Sequence, residues 1–279
     1  MTQTPENDGA VRFLYDTALG RGLLKIVHGL HLDRLAVWYL RSRWSRPYIA
    51  KFARKNSIPL TKAELQSFPT YRDFFLRERA PRPVDPVPDH LVSPCDGWLS
   101  AFPVTDGCSF AIKGSRYRVA DLLQDAALAE RYRDGTCLVF RLCAYDYHHY
   151  SYIDGGRQGQ NHYIEGQLHS VQPIASEHYP IFTLNRRSWC VLDTDHFGPV
   201  VQTEIGALVV GGIVNRPQGP MARGQEKGYF DLCGSTITLL FEKGRAALLP
   251  ELAERTADGR EVRVEQGQWI GTALPNERA

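Results

Sequence analysis

At 279 residues, with 43% hydrophobic side chains and a net charge of +2, the chain can build a real core, as one large domain or as a domain with an appended segment. Composition therefore excludes a disordered polypeptide except at the ends. The six cysteines show no Cys-x-x-Cys pair and no spacing with histidines that would cage zinc, so they read as reduced thiols of a cytosolic protein with no metal site. The start lacks the pattern of a signal peptide and no run of about 18 apolar residues occurs, so neither secretion nor a membrane span is expected.

The charge is unevenly spread. Residues 11–60 carry ten Lys and Arg against Asp16 and Asp33, a net +8, while the rest of the chain is acidic. Apolar residues from Phe13 to Leu40 recur at mostly three- and four-residue intervals among Arg12, Arg21, Lys25, Arg34 and Arg41. This predicts amphipathic helices, broken near His28-Gly29 and again at Arg46-Pro47. An apolar stripe edged with cations, with Trp38 and Trp44 near the boundary, suits an anionic membrane surface. The alternative is a helical pair packed on the rest of the chain with its arginines solvated. No aromatic-rich sheet motif or zinc module accompanies the basic helices, so nucleic acid is not an expected partner.

Further along, Thr61 and Glu64 form a capping-box pattern, and a short helix is predicted over residues 68–79. The Pro-rich stretch 80–88 cannot be helical. It is the predicted boundary between a helical N-terminal portion, residues 1–80, and a β-rich body, residues 81–279. In the body, strands are predicted over 97–103, 136–143, 166–171, 188–194, 200–205, 207–214 and 236–241, with one helix over 119–129. The fold class is α+β.

Several segments stand out in order and spacing: Phe74-Phe75-Leu76-Arg77 followed by Arg82-Pro83, Val92-Ser93-Pro94-Cys95-Asp96-Gly97, Ile112-Lys113-Gly114, Asp146-Tyr147-His148, Gly166 to Pro173, Glu204-Ile205-Gly206-Ala207, and Gly228-Tyr229-Phe230-Asp231-Leu232-Cys233-Gly234-Ser235-Thr236. Singly each is weak, since Gly-Ser-Thr is usually a turn and Asp-Gly likewise. Together they make the chain, over about residues 65–275, resemble the phosphatidylserine decarboxylases.

The resemblance implies that the chain cuts itself between Gly234 and Ser235. Ser235 would attack the preceding carbonyl, which glycine leaves sterically open. The resulting ester would eliminate to dehydroalanine and hydrolyse to a pyruvoyl group, a covalent cofactor made from Ser235. Heavy chain 1–234 and light chain 235–279 would result. A serine hydroxyl needs a base in reach and a third group to orient that base. The resemblance assigns the acid to Asp96 and the base to the Asp-Tyr-His motif, where His148 is the choice. The second histidine of the commonest motif is replaced by Ser151, so His148 serves both halves of the chemistry or His149 substitutes. His169 and His178 are secondary candidates near the site. Cys95 and Cys233 read as small fillers.

The implied substrate is phosphatidylserine in an anionic membrane surface, reached peripherally from the cytoplasmic side. Within Asn185-Arg186-Arg187, one arginine, with Arg187 the candidate, could hold a phosphate or carboxylate, against the plainer reading of a salt bridge. Rival readings are a decarboxylase of another amine, whether a different serine-headed lipid or an aromatic amino acid, and a lipid-binding relative that never matures. A conventional hydrolase is disfavoured because no Gly-x-Ser-x-Gly elbow surrounds Ser235. Homo-oligomerisation is left open.

Overall fold

The computed structural model describes residues 9–30, 32–80, 82–105, 107–112, 115–207, 212–232 and 235–275. The N-terminal portion is helical: α1 (Gly9–Asp16), α2 (Ala18–Gly29), α3 (Leu32–Arg41), a single 3-10 turn Arg43–Ser45, α4 (Arg46–Lys55), α5 (Lys62–Ser67) and α6 (Tyr71–Phe75). The second predicted break falls slightly earlier than Arg46-Pro47, because Pro47 sits in the first turn of α4, where its missing N–H costs nothing. The Thr61–Glu64 capping box is present, and a second one, Thr70–Asp73, starts α6. Helix therefore covers only Tyr71–Phe75 of the stretch 68–79.

The body is organised by one nine-stranded sheet whose neighbouring strands are all antiparallel. Its middle strand is Ser235–Phe241, paired on one edge with Gly198–Ile205 and on the other with Thr136–Leu142. Alternate residues of that strand enter different cores, as the two-residue period of a strand requires. Ile237, Leu239 and Phe241 pack with Leu99, Leu138 and Phe140, while Leu240 joins Val139 and Val201 on the other side. A smaller sheet places Glu226–Asp231 between Gly212–Asn215 and His149–Ser151.

Some expectations are corrected. Residues 166–171 form no strand and contribute only the isolated bridge Gln167–Asn185. The helix over 119–129 is two short ones, Val119–Leu123 and Ala126–Glu130, because Gln124 turns left-handed at φ 54° and Asp125 caps the second. Nor is helix in the body confined there: Pro173–His178, Ile181–Leu184 and Pro250–Ala257 are helical too. Where a strand over 207–214 is expected, the strand among the described residues is Gly212–Asn215.

Candidate active site

Ser235 begins the middle strand opposite Leu142, fully buried, and its Oγ has no hydrogen-bond partner among the described residues. Cys233 and Gly234 lie outside the described residues, so the expected cleavage site is seen from its flanks. On the upstream flank Leu232 is buried and adopts a left-handed φ of 70°.

His148 is reached through a tight turn. The Cys143 N–H donates to Asp146 Oδ2 at 2.7 Å, the Asp146 N–H to the Cys143 carbonyl at 2.9 Å, and Arg263 holds Asp146 Oδ1 at 2.6 Å. The turn aims the Asp146 carbonyl at His148 Nδ1, 2.9 Å away. A carbonyl only accepts, so Nδ1 carries the proton and Nε2 is left with a lone pair. That Nε2 is buried and has no partner among the described residues. The ring lies 4.3 Å from the Phe75 ring, centroid to centroid. Burial pushes the His148 pKa down to about 3, against the Asp146 carbonyl bond, with the Arg77 and His149 charges adding and Asp96 opposing. At neutral pH it is a neutral base.

The orienting group is thus a backbone carbonyl, which differs from the expected Asp96 side chain. Asp96 makes no hydrogen bond to His148 among the described contacts. Arg79 Nη1 donates to its Oδ2, while the Gln266 N–H at 2.9 Å and Arg82 Nη1 at 3.1 Å meet Oδ1. Burial alone would raise this carboxyl, but the Arg79 bond, the Gln266 N–H and the two guanidinium charges hold it below the usual carboxylate range.

His149, the first residue of the strand His149–Ser151, makes its contacts elsewhere. Its Nδ1 meets Glu226 at 2.8 Å and its Nε2 the Leu76 carbonyl at 3.3 Å, with Tyr147 stacked on the ring. It lines an open cleft of about 400 Å³ with Arg79, Arg82, Tyr147, Ser151 and Glu226. Ser151 Oγ donates to the Pro94 carbonyl.

The remaining candidates are taken up by the scaffold. Arg187, expected to hold a phosphate or carboxylate, is 1% exposed and donates to the carbonyls of Leu122, Thr183, Asn185 and Asp121, so that role is corrected to a structural one. His169 is buried between Tyr15 and Tyr179, with Nε2 at 3.0 Å from Gln167 Oε1. His178 meets Asp16 near the surface.

Sequence reasoning missed Arg79, the main partner of Asp96, and the Lys227–Glu204 pair. The latter is fully buried at 2.7 Å, and Asn215 bonds both partners. Burial alone would lower the Lys227 pKa, but the adjoining Glu204 carboxylate holds it above the ordinary value. The signal for the pair was a charged residue at each of two positions inside otherwise strand-like runs.

A sequence model of the family described as phosphatidylserine decarboxylase matches residues 71–272. The phosphatidylserine decarboxylase proenzyme 2 of Clostridium acetobutylicum is 37% identical over 95% of this chain and 92% of its own. The corresponding proenzymes of Desulfitobacterium hafniense DCB-2 and Ruminiclostridium cellulolyticum are 37% and 36% identical, each over 94% of this chain and 91% and 90% of theirs. Matched nearly end to end, and with the serine, the histidine and the aspartate of its motifs all buried in the body, the chain belongs to the phosphatidylserine decarboxylase family.

Proposed function

We propose that this chain is a proenzyme that cuts itself between Gly234 and Ser235, and that the matured protein converts phosphatidylserine to phosphatidylethanolamine and CO2. The observation that carries the reading is the state of two buried atoms, Ser235 Oγ and His148 Nε2, each without a partner among the described residues. Buried polar atoms are normally satisfied, and a catalytic role is one reason for an exception.

His148 Nε2 takes the Oγ proton as that oxygen attacks the Gly234 carbonyl carbon. The new C–O bond replaces the Gly234–Ser235 C–N bond, and the proton passes to the freed nitrogen. Removal of the Ser235 α-proton then expels the Gly234 carboxylate, leaving dehydroalanine, which takes up water and releases ammonia to give the ketone. The residues fit a pyruvoyl group at this place: position 235 starts a rigid strand, and its side-chain oxygen is committed to nothing else among the described residues. The group supplies a carbonyl that condenses with the substrate amine and accepts the electrons released with CO2. His148, held in one tautomer by Asp146, serves as proton carrier at Nε2 in both stages. His149 has both ring nitrogens against acceptors and shapes the cleft wall. The light chain stays in place after the cut because its first strand is hydrogen-bonded on both edges to heavy-chain strands.

The matured enzyme works at the cytoplasmic face of the cell membrane, held there peripherally by its N-terminal helices. Supporting this are Leu19, Leu30, Leu35, Trp38 and Trp44, each more than half exposed, on the segment that carries the net positive charge. Among the described residues no helix is long and apolar enough to cross a membrane.

Intact mass spectrometry of the purified protein tests the maturation. The expected result is a fragment ending at Gly234 and one starting at 235 that is lighter than a serine-started chain by one ammonia and is reduced by borohydride. A single mass of 31.5 kDa would overturn it in favour of a relative that does not mature. Sedimentation with vesicles tests the surface: binding to phosphatidylserine vesicles that weakens with salt is expected, and equal binding to neutral vesicles would sink the electrostatic part.

A further inference from the structure

Asp231 lies three residues before Gly234 and ends the strand Glu226–Asp231. It is 4% exposed, and two arginines of the N-terminal helices grip it. Arg41, the last residue of α3, places Nη2 at 2.6 Å from Oδ2, and Arg72 of α6 places Nε at 2.8 Å from Oδ1. The next residue, Leu232, is fully buried with Ile49 of α4 and with Tyr71, Phe74 and Phe75 of α6. Its left-handed φ of 70° is a conformation that a residue with a branched side chain avoids unless its surroundings impose it.

The same short helix reaches the base. Phe75 of α6 packs on the His148 ring, and the Phe230 N–H, one residue before Asp231, donates to the His148 carbonyl at 3.1 Å. Helix α6 is itself fixed, by its capping box and by the Tyr71 N–H donating to the buried Ser45 Oγ at 2.8 Å. One element therefore touches the base, the left-handed residue and the carboxylate that anchors it.

We propose that Arg41 and Arg72, acting through Asp231, are positioning residues for self-cleavage: they fix Asp231 and Leu232, the residues that lead towards the Gly234–Ser235 bond. The N-terminal helices are on this account part of the maturation machinery, in addition to any contact with lipid. The inference rests on the maturation reading above. Arg41 and Arg72 touch neither reacting atom and act on the geometry in which Ser235 meets the preceding carbonyl.

The test is a pulse-chase in a cell-free translation reaction of the full chain, following loss of precursor on a denaturing gel. Asp231→Asn keeps the shape and removes the charge, and it is expected to slow cleavage about tenfold or more, as a small misplacement of reacting groups does. Asp231→Glu should recover most of the rate. Arg41→Gln, at a half-exposed position, should slow cleavage less than Arg72→Gln does. Melting of each variant in a Ser235→Ala background separates positioning from folding: a slowed cut with a melting temperature near that of Ser235→Ala alone supports the proposal. Cleavage of Asp231→Asn at the wild-type rate overturns it, as does slowing that simply tracks lost stability. If the unsubstituted chain does not cut between 234 and 235, the maturation reading itself fails, which is a different outcome.

Discussion

The two sides of the segment from His148 to Ser151 stand in different media. On the inner side His148 and Tyr150 are fully enclosed, His148 against Phe75 and Phe230, Tyr150 bonded to Asn215. On the outer side His149 and Ser151 line a cleft with two arginines and Glu226. A dry interior suppresses the charged form of an imidazole and leaves a lone pair, whereas His149 has a carboxylate and a carbonyl against its two nitrogens. Adjacent histidines thus meet different surroundings, one just before the strand and one at its start.

The largest effect should come from the inner side. His148→Ala is expected to slow self-cleavage by about 10²–10⁴-fold, the usual contribution of a general base. His149→Ala should slow it by less than about tenfold, since its loss disturbs only the cleft wall. Precursor decay measured on a gel gives both rates. Comparable rates for the two variants would break the comparison and return the base to an open choice.

The resemblance picked His148 over His149 from the sequence, but the contrast in their surroundings could not be read there, where the two histidines are simply adjacent. The strand that follows His148 has three residues, too short for a period to show. Long buried strands were legible: residues 97–103 match the observed element, and the runs ending at 194, 205 and 241 begin within two residues of their expected starts. The Thr61–Glu64 cap was legible because its chemistry is local. Arg187 was misread because an arginine two residues after an asparagine, in a pattern the resemblance marks, looks like a ligand holder. Only the fold brings four backbone carbonyls to it. The partners of Asp96 were hidden for the same reason, since Gln266 is 170 residues away in the chain.

An intermediate effect should come from the boundary between the two media. Asp96 acts on His148 through space, and its hydrogen bonds go to Arg79, Arg82 and Gln266. Asp96→Asn is therefore expected to slow cleavage by about 10–10²-fold, less than His148→Ala, by loosening that anchor. Arg79→Ala should reproduce most of the slowing, and the pair should be less than additive. Fully additive effects would mean that Asp96 serves His148 independently of the arginines. Stability should fall by about 1–2 kcal/mol in either variant, a modest figure because both guanidiniums are partly exposed.

The finest distinction is in the pH dependence of stability, measured by urea unfolding of the uncut Ser235→Ala chain. Unfolded histidine takes its proton near its ordinary pKa of 6.5, while the folded His148 does so only at about 3. Between those values the unfolded chain holds the extra proton, so stability must rise with pH across the window, by up to about 1.4 kcal/mol per unit from this one group. Asp96 has the depressed pKa of an anchored carboxylate, so its contribution is lost only as pH falls through that lower value. Asp146 carries the opposite sign: burial raises it despite the Arg263 bond, so its contribution is present below the ordinary carboxylate value and is lost as pH rises through the raised one. The His148 slope is therefore read as a difference between variants in the window below pH 6.5. His148→Gln should flatten it. A slope unchanged by His148→Gln would mean that this imidazole is not buried in its neutral form, and the contrast between inner and outer side would lose its electrostatic basis.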